Sequence, residues 1–434
     1  MQKIEELLRF IESAPTSFHA IREGIRRLEG FTLLEECRKW KLEPGGRYVV
    51  TRNGSSLIAF VIPENAPVSF QMVASHSDSP MFKIKEHAET EVQGRYARLD
   101  TEAYGGMIMA SWMDRPLSVA GRVVVRDDGR LVSRLVDMKD VTAVIPHVAI
   151  HMNRNVNDGF KYEMHKDMVP LWGDGHARGK FLEKVAEQAG CAEDDILGHD
   201  LFLYNCMPGV LWGMEQEFFS SPRIDNLECA FASLEAIREA RNKDQVLVCA
   251  IFDNEEVGST TRQGANASFL SDVLSRIAGG LGIDAGDLPA MLSRSFMVSA
   301  DNAHATHPNH PEYADPENQV FMNEGVVIKH SANQKYTTDA ISQALFVDVC
   351  REAGVPVQHF ANRSDMRGGS TLGNLSASHI SVPTLDIGLA QLSMHSSFET
   401  AGRRDLDAMI LAMQTFYTRR YRTLAEGEMQ ILGS

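Results

Sequence analysis

The chain has 434 residues, more than the roughly 250–300 at which a single hydrophobic core stops growing, so two domains are expected. With 44% apolar and 23% charged residues, the composition is that of an ordinary soluble globular protein with a large core. A formal net charge of −15 argues against nucleic acid or an anionic membrane as the main partner.

Residues 3–29 predict two helices separated by "SAPTS", with Ser17 capping the second. This amphipathic, acidic start lacks the basic and continuously apolar regions of a signal peptide. Further on, no apolar run approaches the roughly 18–20 residues that span a bilayer. "RYVVT" and "SLIAFVI" predict strands joined by the turn at Asn53-Gly54, and "SFQMVAS" a third strand ending at His76. The segment 82–217 reads differently. "GRVVVRDDGRLVSRLVDM" predicts two strands around an Asp127-Asp128-Gly129 turn, and a polar, loop-rich stretch follows. From about residue 246, buried strands ("VLVCAIF", "SFMVSA", "VPVQHF", "VPTLDIGL") alternate with helical stretches, among them 337–353 and 404–425, while 224–241 precedes them. Such alternation predicts an α/β fold, a mixed sheet covered by helices on both faces, built from 1–81 and 218–434, with 82–217 as an inserted β-rich domain. Cys37, Cys191, Cys206, Cys229, Cys249 and Cys350 form no CxxC pair, and reduced, mostly buried thiols of a cytoplasmic protein are expected.

Five widely separated positions carry candidate chemistry. In "ASHSDSP", His76 and Asp78 follow a strand two residues apart, so they share a face. A metal-bound imidazole commonly donates its other N–H to a carboxylate, and a hydrogen-bonded turn explains the pair equally well. In "SSPRIDNLECAF", Asp225 stands at the start of an apolar helix, where capping alone would account for it. "FDNEEVGS" places Asp253, Glu255 and Glu256 at the end of a buried strand, where like charges raise one another's pKa unless a cation offsets them. Strand alternation predicts different directions for the two glutamates. "SADNAHATHPNHPE" ends a strand in Asp301, with His304, His307 and His310 following at three-residue spacing in a stretch whose prolines disfavour a helix. "LAQLSMHSSFE" places His395 in a Ser-rich loop. Each feature alone is weak. Together, His, Asp, Glu, Asp and His converging on one sheet edge is the donor set that a pair of divalent ions needs.

At these residues the sequence resembles the aspartyl aminopeptidase family of dinuclear zinc exopeptidases. The resemblance runs through essentially the whole chain, in the blocks "ASHSDSP", "IPHVAIHMNR", "SPRIDNL", "DNEEVGS", "DNAHATHPNHPE", "VIKHSANQKYTTD" and "LSMHSSFE". The Gly-Ser-Thr-x-Gly turn of "NRSDMRGGSTLG" is also shared, although its Met-Arg departs from the eukaryotic members. The resemblance implies two Zn2+ per subunit, with Co2+ or Mn2+ as substitutes. His76 and Asp301 would hold one ion, Glu256 and His395 the other, and Asp225 would bridge. It makes Glu255 the general base toward a water between the ions, and Asp78 the residue that orients His76. His304, Lys329 and Tyr336 fall at substrate-contact positions, and His151 matches a histidine that reaches a neighbouring subunit's active site. It further implies release of N-terminal residues, with Asp or Glu preferred, from short peptides, and a homododecamer built from dimers through the inserted domain. A same-fold amidohydrolase or carboxypeptidase, and a non-catalytic, metal-stabilised peptide-binding or assembly protein, are the rival readings.

Overall fold

The computed structural model describes residues 2–425 and 427–432. Nine strands form the main sheet, in the order Thr32–Leu34, Arg47–Arg52, Ser56–Val61, Gln245–Phe252, Ser69–His76, Phe296–Ala300, Thr384–Gly388, Val326–His330, Val357–Ala361. The four central strands, Gln245–Phe252 to Thr384–Gly388, run parallel, and antiparallel pairings flank them, so the sheet is mixed as expected.

The unbroken apolar run at 246–252 follows from burial on both faces. Leu247, Cys249 and Ile251 join the core beneath the helices Lys3–Ser13, Ile224–Glu239, Ala340–Ala353 and Asp405–Thr418. Val246, Val248, Ala250 and Phe252 join the core beneath Phe269–Gly280 on the other face. Every residue of this strand is buried, and each large apolar side chain so placed contributes about 1.5–3 kcal/mol.

Six antiparallel strands lying between Met81 and Asn205 form a second sheet with its own hydrophobic core around Phe82, Leu99, Val119, Phe181 and Leu203. The turns at Asn53-Gly54 and Asp127-Asp128-Gly129 join strands as expected. A small five-stranded sheet joins Val210–Trp212 and Phe218–Ser221 to Glu399–Gly402, Ala390–Leu392 and Ala303–His304.

Several expectations are corrected. Ser17 does not cap the second helix. It is the first helical residue, and Thr16 before it spends its hydroxyl on Nδ1 of His19 at 2.9 Å. The expected helix 337–353 begins at Ala340, because Asp339 and Ser342 form a reciprocal capping box. The expected helix 404–425 ends at Thr418, because Arg420–Ala425 pairs as a strand with Glu428–Leu432. All six cysteines are free, but only Cys229, Cys249 and Cys350 are buried, and Cys37 is exposed. Among the described residues, no helix is long and apolar enough to cross a membrane.

Candidate active site

The parallel strands of the main sheet end on one edge, where ligands of α/β sheets characteristically sit. His76 closes the strand Ser69–His76. Glu255 and Glu256 follow Phe252, and Asp301 follows Ala300. Asp225 enters from the first turn of Ile224–Glu239, and His395 from the connection between Ala390–Leu392 and Glu399–Gly402.

These residues converge. Nε2 of His76 lies 3.5 Å from Oδ1 of Asp225 and 3.9 Å from Oδ1 of Asp301. Nε2 of His395 lies 3.6 Å from Oδ2 of Asp225 and 3.2 Å from Oε2 of Glu256. The donor atoms of His76, Asp225 and Glu256 all fall within 4.8 Å of one another. Asp225 does not cap its helix. Its backbone is non-helical, and its two oxygens are turned toward the two histidines.

Strand alternation does not separate the two glutamates. They lie in a short 3₁₀ turn, Glu255–Val257, entered through Asn254 at φ 63° and left through Gly258 at φ 96°, a conformation in which a side chain is strained. At three residues per turn, neighbours diverge by about 120°. Asp78 holds this turn in place, because Oδ1 accepts the Glu255 amide and Oδ2 the Glu256 amide, each at 3.1 Å. Nδ1 of His76 hydrogen-bonds the carbonyl oxygen of Asp78 at 3.1 Å, with Oδ1 3.3 Å away, so this one residue orients the imidazole and both glutamates.

Gly388 permits the close approach on the Asp301 side. A Cβ there would meet the Asp301 carbonyl oxygen at 2.1 Å. Lys329 is buried, with its ammonium 3.9 Å from Oδ1 of Asp301 and 5.4 Å from the centre of the Tyr336 ring. Tyr336 and His304 each approach the ring of Phe360, with centroids 6.4 Å away. His307 and His310 lie apart in a polar loop, where His310 pairs with Glu312. His151 stands in an exposed turn of the β-rich part, and among the described residues no hydrogen bond or ion pair joins it to the cluster.

The electrostatics are those of crowded carboxylates. Burial pushes Glu255 up to about 8; His76 opposes this, while Asp301, Asp78 and Asp225 add to it. Glu256 is raised well above the usual range by burial and then by Asp225. Burial favours neutral histidines, yet the surrounding carboxylates hold His76 well above its ordinary value and raise His395. Asp225 goes the other way: burial opposes ionisation, and its contacts with His395 and His76 prevail. Asp253, which accepts the Asn254 amide at 2.9 Å, is raised to about 7 by burial and by Asp78. His304 is exposed as a residue, but the protein crowding its ring, and then Lys329, lower its pKa.

Two buried oxygens, Oδ1 of Asp225 and Oε1 of Glu256, find no hydrogen-bond partner among the described residues. A buried carboxylate oxygen without a donor is costly. A cation supplies the missing partner and offsets the clustered negative charge. The donor set of two imidazoles and three carboxylates suits zinc.

Three polar residues of this site carried no signal that set them apart in the sequence. Tyr104, from the six-stranded sheet, donates its hydroxyl to Oδ2 of Asp78 at 2.7 Å and accepts from Asn254 Nδ2 at 2.8 Å. Glu399 accepts the backbone amides of Asp225 and His395. Ser79 donates to the Asp225 carbonyl at 2.7 Å. Their partners are distant in sequence, apart from His395, whose main-chain contact with Glu399 the sequence does not signal.

A carboxylate- and histidine-lined edge of a helix-covered mixed sheet defines a class, the metal-dependent hydrolases, and the comparisons narrow it. The family described as "Aminopeptidase I zinc metalloprotease (M18)" matches residues 10–417. The "Probable M18 family aminopeptidase 2" of Clostridium acetobutylicum is 44% identical over 423 residues, covering 95% of this chain and 98% of the relative. Among solved structures, Ape4 in its complex with Nbr1 superposes with a TM-score of 0.91 at 35% identity, over 95% of this chain and 84% of that one. The mApe1 dodecamer of S. cerevisiae superposes at 0.84 and 27% identity, over 95% of both chains. The chain belongs to the M18 family, which is the aspartyl aminopeptidase family, and it is a zinc metallo-aminopeptidase.

Proposed function

We propose that the protein releases N-terminal residues from short peptides at a dinuclear zinc site. His76 and Asp301 would hold one ion and Glu256 and His395 the other, with Asp225 shared between them. The observation that carries this reading is that the two oxygens of Asp225 face two different histidines, each with a second carboxylate beside it. Zinc held there would polarise the scissile carbonyl and make a water acidic near neutral pH. Glu255 takes the proton from the attacking water and passes it to the leaving amine. Its pKa near 8 without cations falls when positive charge is added beside it, toward what a base needs at neutral pH. Asp78 keeps His76 and the glutamate turn in register. His304, Lys329 and Tyr336 contact the substrate.

The likeness to aspartyl aminopeptidases supports a preference for N-terminal Asp and Glu, with the buried Lys329 as the cation that meets the side chain. The neighbour described as a dodecamer supports a homododecamer built from dimers, with 82–217 as the dimerisation domain and His151 reaching into a neighbouring subunit's site. Val148, Ile150 and Met152, all exposed around His151, support a contact there. The cytoplasm is the proposed compartment.

Two variants test the centre. Glu255→Gln is expected to keep its zinc while turnover falls by about 2–4 orders of magnitude. His395→Ala is expected to lose zinc. A fully active Glu255→Gln removes the base, and an unchanged metal content in His395→Ala removes the ligand. A panel of aminoacyl substrates that favours Leu or Lys over Asp and Glu removes the acidic preference. A stable, fully active monomer in light scattering removes the assembly.

A further inference from the structure

We infer that Glu399 is a positioning residue for the metal centre, an inference that rests on the ligand assignment above. It holds Asp225 and His395, which come from elements far apart in the chain, in one fixed relation. Oε2 of Glu399 accepts the backbone amide of Asp225 at 3.0 Å, and Oε1 accepts the backbone amide of His395 at 2.7 Å. The two amides are 170 residues apart in sequence, and one buried carboxylate spans them.

Three features make this a device for geometry and not a general core contact. The first is how the carboxylate is itself held. Gln391 donates to Oε1 at 3.3 Å, and the orientation of its amide is set by Asn302, which donates to its Oε1 at 2.6 Å. The second is the backbone of His395. It sits at φ 66°, in the left-handed region that non-glycine residues seldom occupy, and the bond to Glu399 is made at that amide. The third is symmetry of function with Asp78. Asp78 accepts the Glu255 and Glu256 amides, and Glu399 accepts the other pair, so two buried carboxylates pin four of the residues that do the chemistry by their main chains.

The arrangement makes a sharp demand on residue type. Among the described residues, the three groups hydrogen-bonded to the Glu399 carboxylate are all N–H donors. A glutamine of the same shape must therefore turn its own NH2 toward a donor, whichever way its amide is flipped. Glu399→Asp keeps both acceptor oxygens but is one methylene short, so it cannot reach both amides in the present backbone.

The test is zinc affinity of the full-length protein, measured by competition with a chromophoric chelator. Folding is followed by circular dichroism and assembly size by light scattering. Loss of a supporting contact behind a metal ligand costs 10–100-fold in affinity or activity. Glu399→Gln is expected to bind zinc ~10–100-fold more weakly, with kcat/KM restored in part as free zinc is raised. Zinc affinity and kcat/KM within twofold of the parent overturn the inference. So does a lowered melting temperature of the zinc-free variant with unchanged zinc affinity, which is what a merely structural role gives. If Glu399→Gln does not fold, Glu399→Asp is measured the same way, and parental zinc affinity in it overturns the inference. His395→Ala is run in parallel. If it loses zinc while Glu399→Gln keeps it, only the positioning role falls. If it keeps zinc, the ligand assignment falls and takes this inference with it.

Discussion

Replacing Tyr104 by Phe removes one oxygen atom from the site and nothing else of consequence. The ring remains against Phe202, which it meets edge-on with centroids 5.7 Å apart. What is lost is the 2.7 Å hydrogen bond to Oδ2 of Asp78 and the acceptor for Asn254 Nδ2. Asp78 is only 3% exposed, so water does not readily replace the missing donor. A hydrogen bond to a charged group is worth about 1.5–3 kcal/mol. Tyr104 itself keeps some access to solvent, which places the expected loss in the lower half of that range. Since ~1.4 kcal/mol is tenfold, kcat/KM is expected to fall about 10- to 40-fold. The cause is a looser hold of Asp78 on the Glu255 and Glu256 amides and on His76. The effect is expected mainly in kcat, because Tyr104 is placed behind the carboxylates and not against the substrate. Steady-state kinetics on an aminoacyl anilide, with zinc content measured in parallel, checks this. A kcat within twofold of the parent at equal zinc content refutes the chain of support from Tyr104 through Asp78.

Gly388→Ala forces the Asp301 backbone to move, because the new Cβ would meet its carbonyl oxygen at 2.1 Å. Overpacking of this kind costs about 1–3 kcal/mol, and both a lower melting temperature and a lower zinc content are expected, read by differential scanning fluorimetry and metal analysis. In the zinc-free protein, burial pushes Glu255 up to about 8 and Glu256 well above its usual range, and the surrounding carboxylates raise His76 and His395 above 6.5. Zinc binding at pH 7 is therefore expected to release protons, and apparent affinity to weaken as pH falls. Calorimetry in two buffers of different ionisation enthalpy counts the protons, and a count of zero contradicts the raised values. The same groups set the stability of the zinc-free protein. Their folded pKa values exceed the unfolded ones, so the folded state binds more protons, and the stability they contribute at low pH is lost as pH rises through about 8. The melting temperature of zinc-free protein is expected to fall between pH 7 and 9, and a rise across that window counts against the assignment.

Seven of the nine strands of the main sheet were legible, the central ones because burial on both faces writes itself as an unbroken apolar run, as in "VLVCAIF", while Thr32–Leu34 and Val326–His330 were not read as strands. The candidate site was legible for a related reason. Parallel strands end together on one edge, so His76, Glu256 and Asp301 were expected on the same edge, and the strand order observed in the sheet makes them neighbours. The end of the last long helix was not legible. "RYRTLA" has no local quality that forbids a helix, and only pairing with Glu428–Leu432 makes it a strand. The role of adjacent glutamates was half legible. Two directions were expected from strand alternation, but a 3₁₀ turn pinned by Asp78 sets them.

By itself, then, the sequence determined most strands of the sheet, part of its helical cover and the residue types at the strand ends, because these follow from hydrophobic periodicity and from the order of motifs along the chain. Tertiary structure alone decided how those side chains are held. Asp78 with Tyr104, and Glu399 with Gln391, act by hydrogen bonds, several of which join atoms more than a hundred residues apart in the chain. A hydrogen bond depends on position within a few tenths of an ångström, and no periodicity along the chain records that distance.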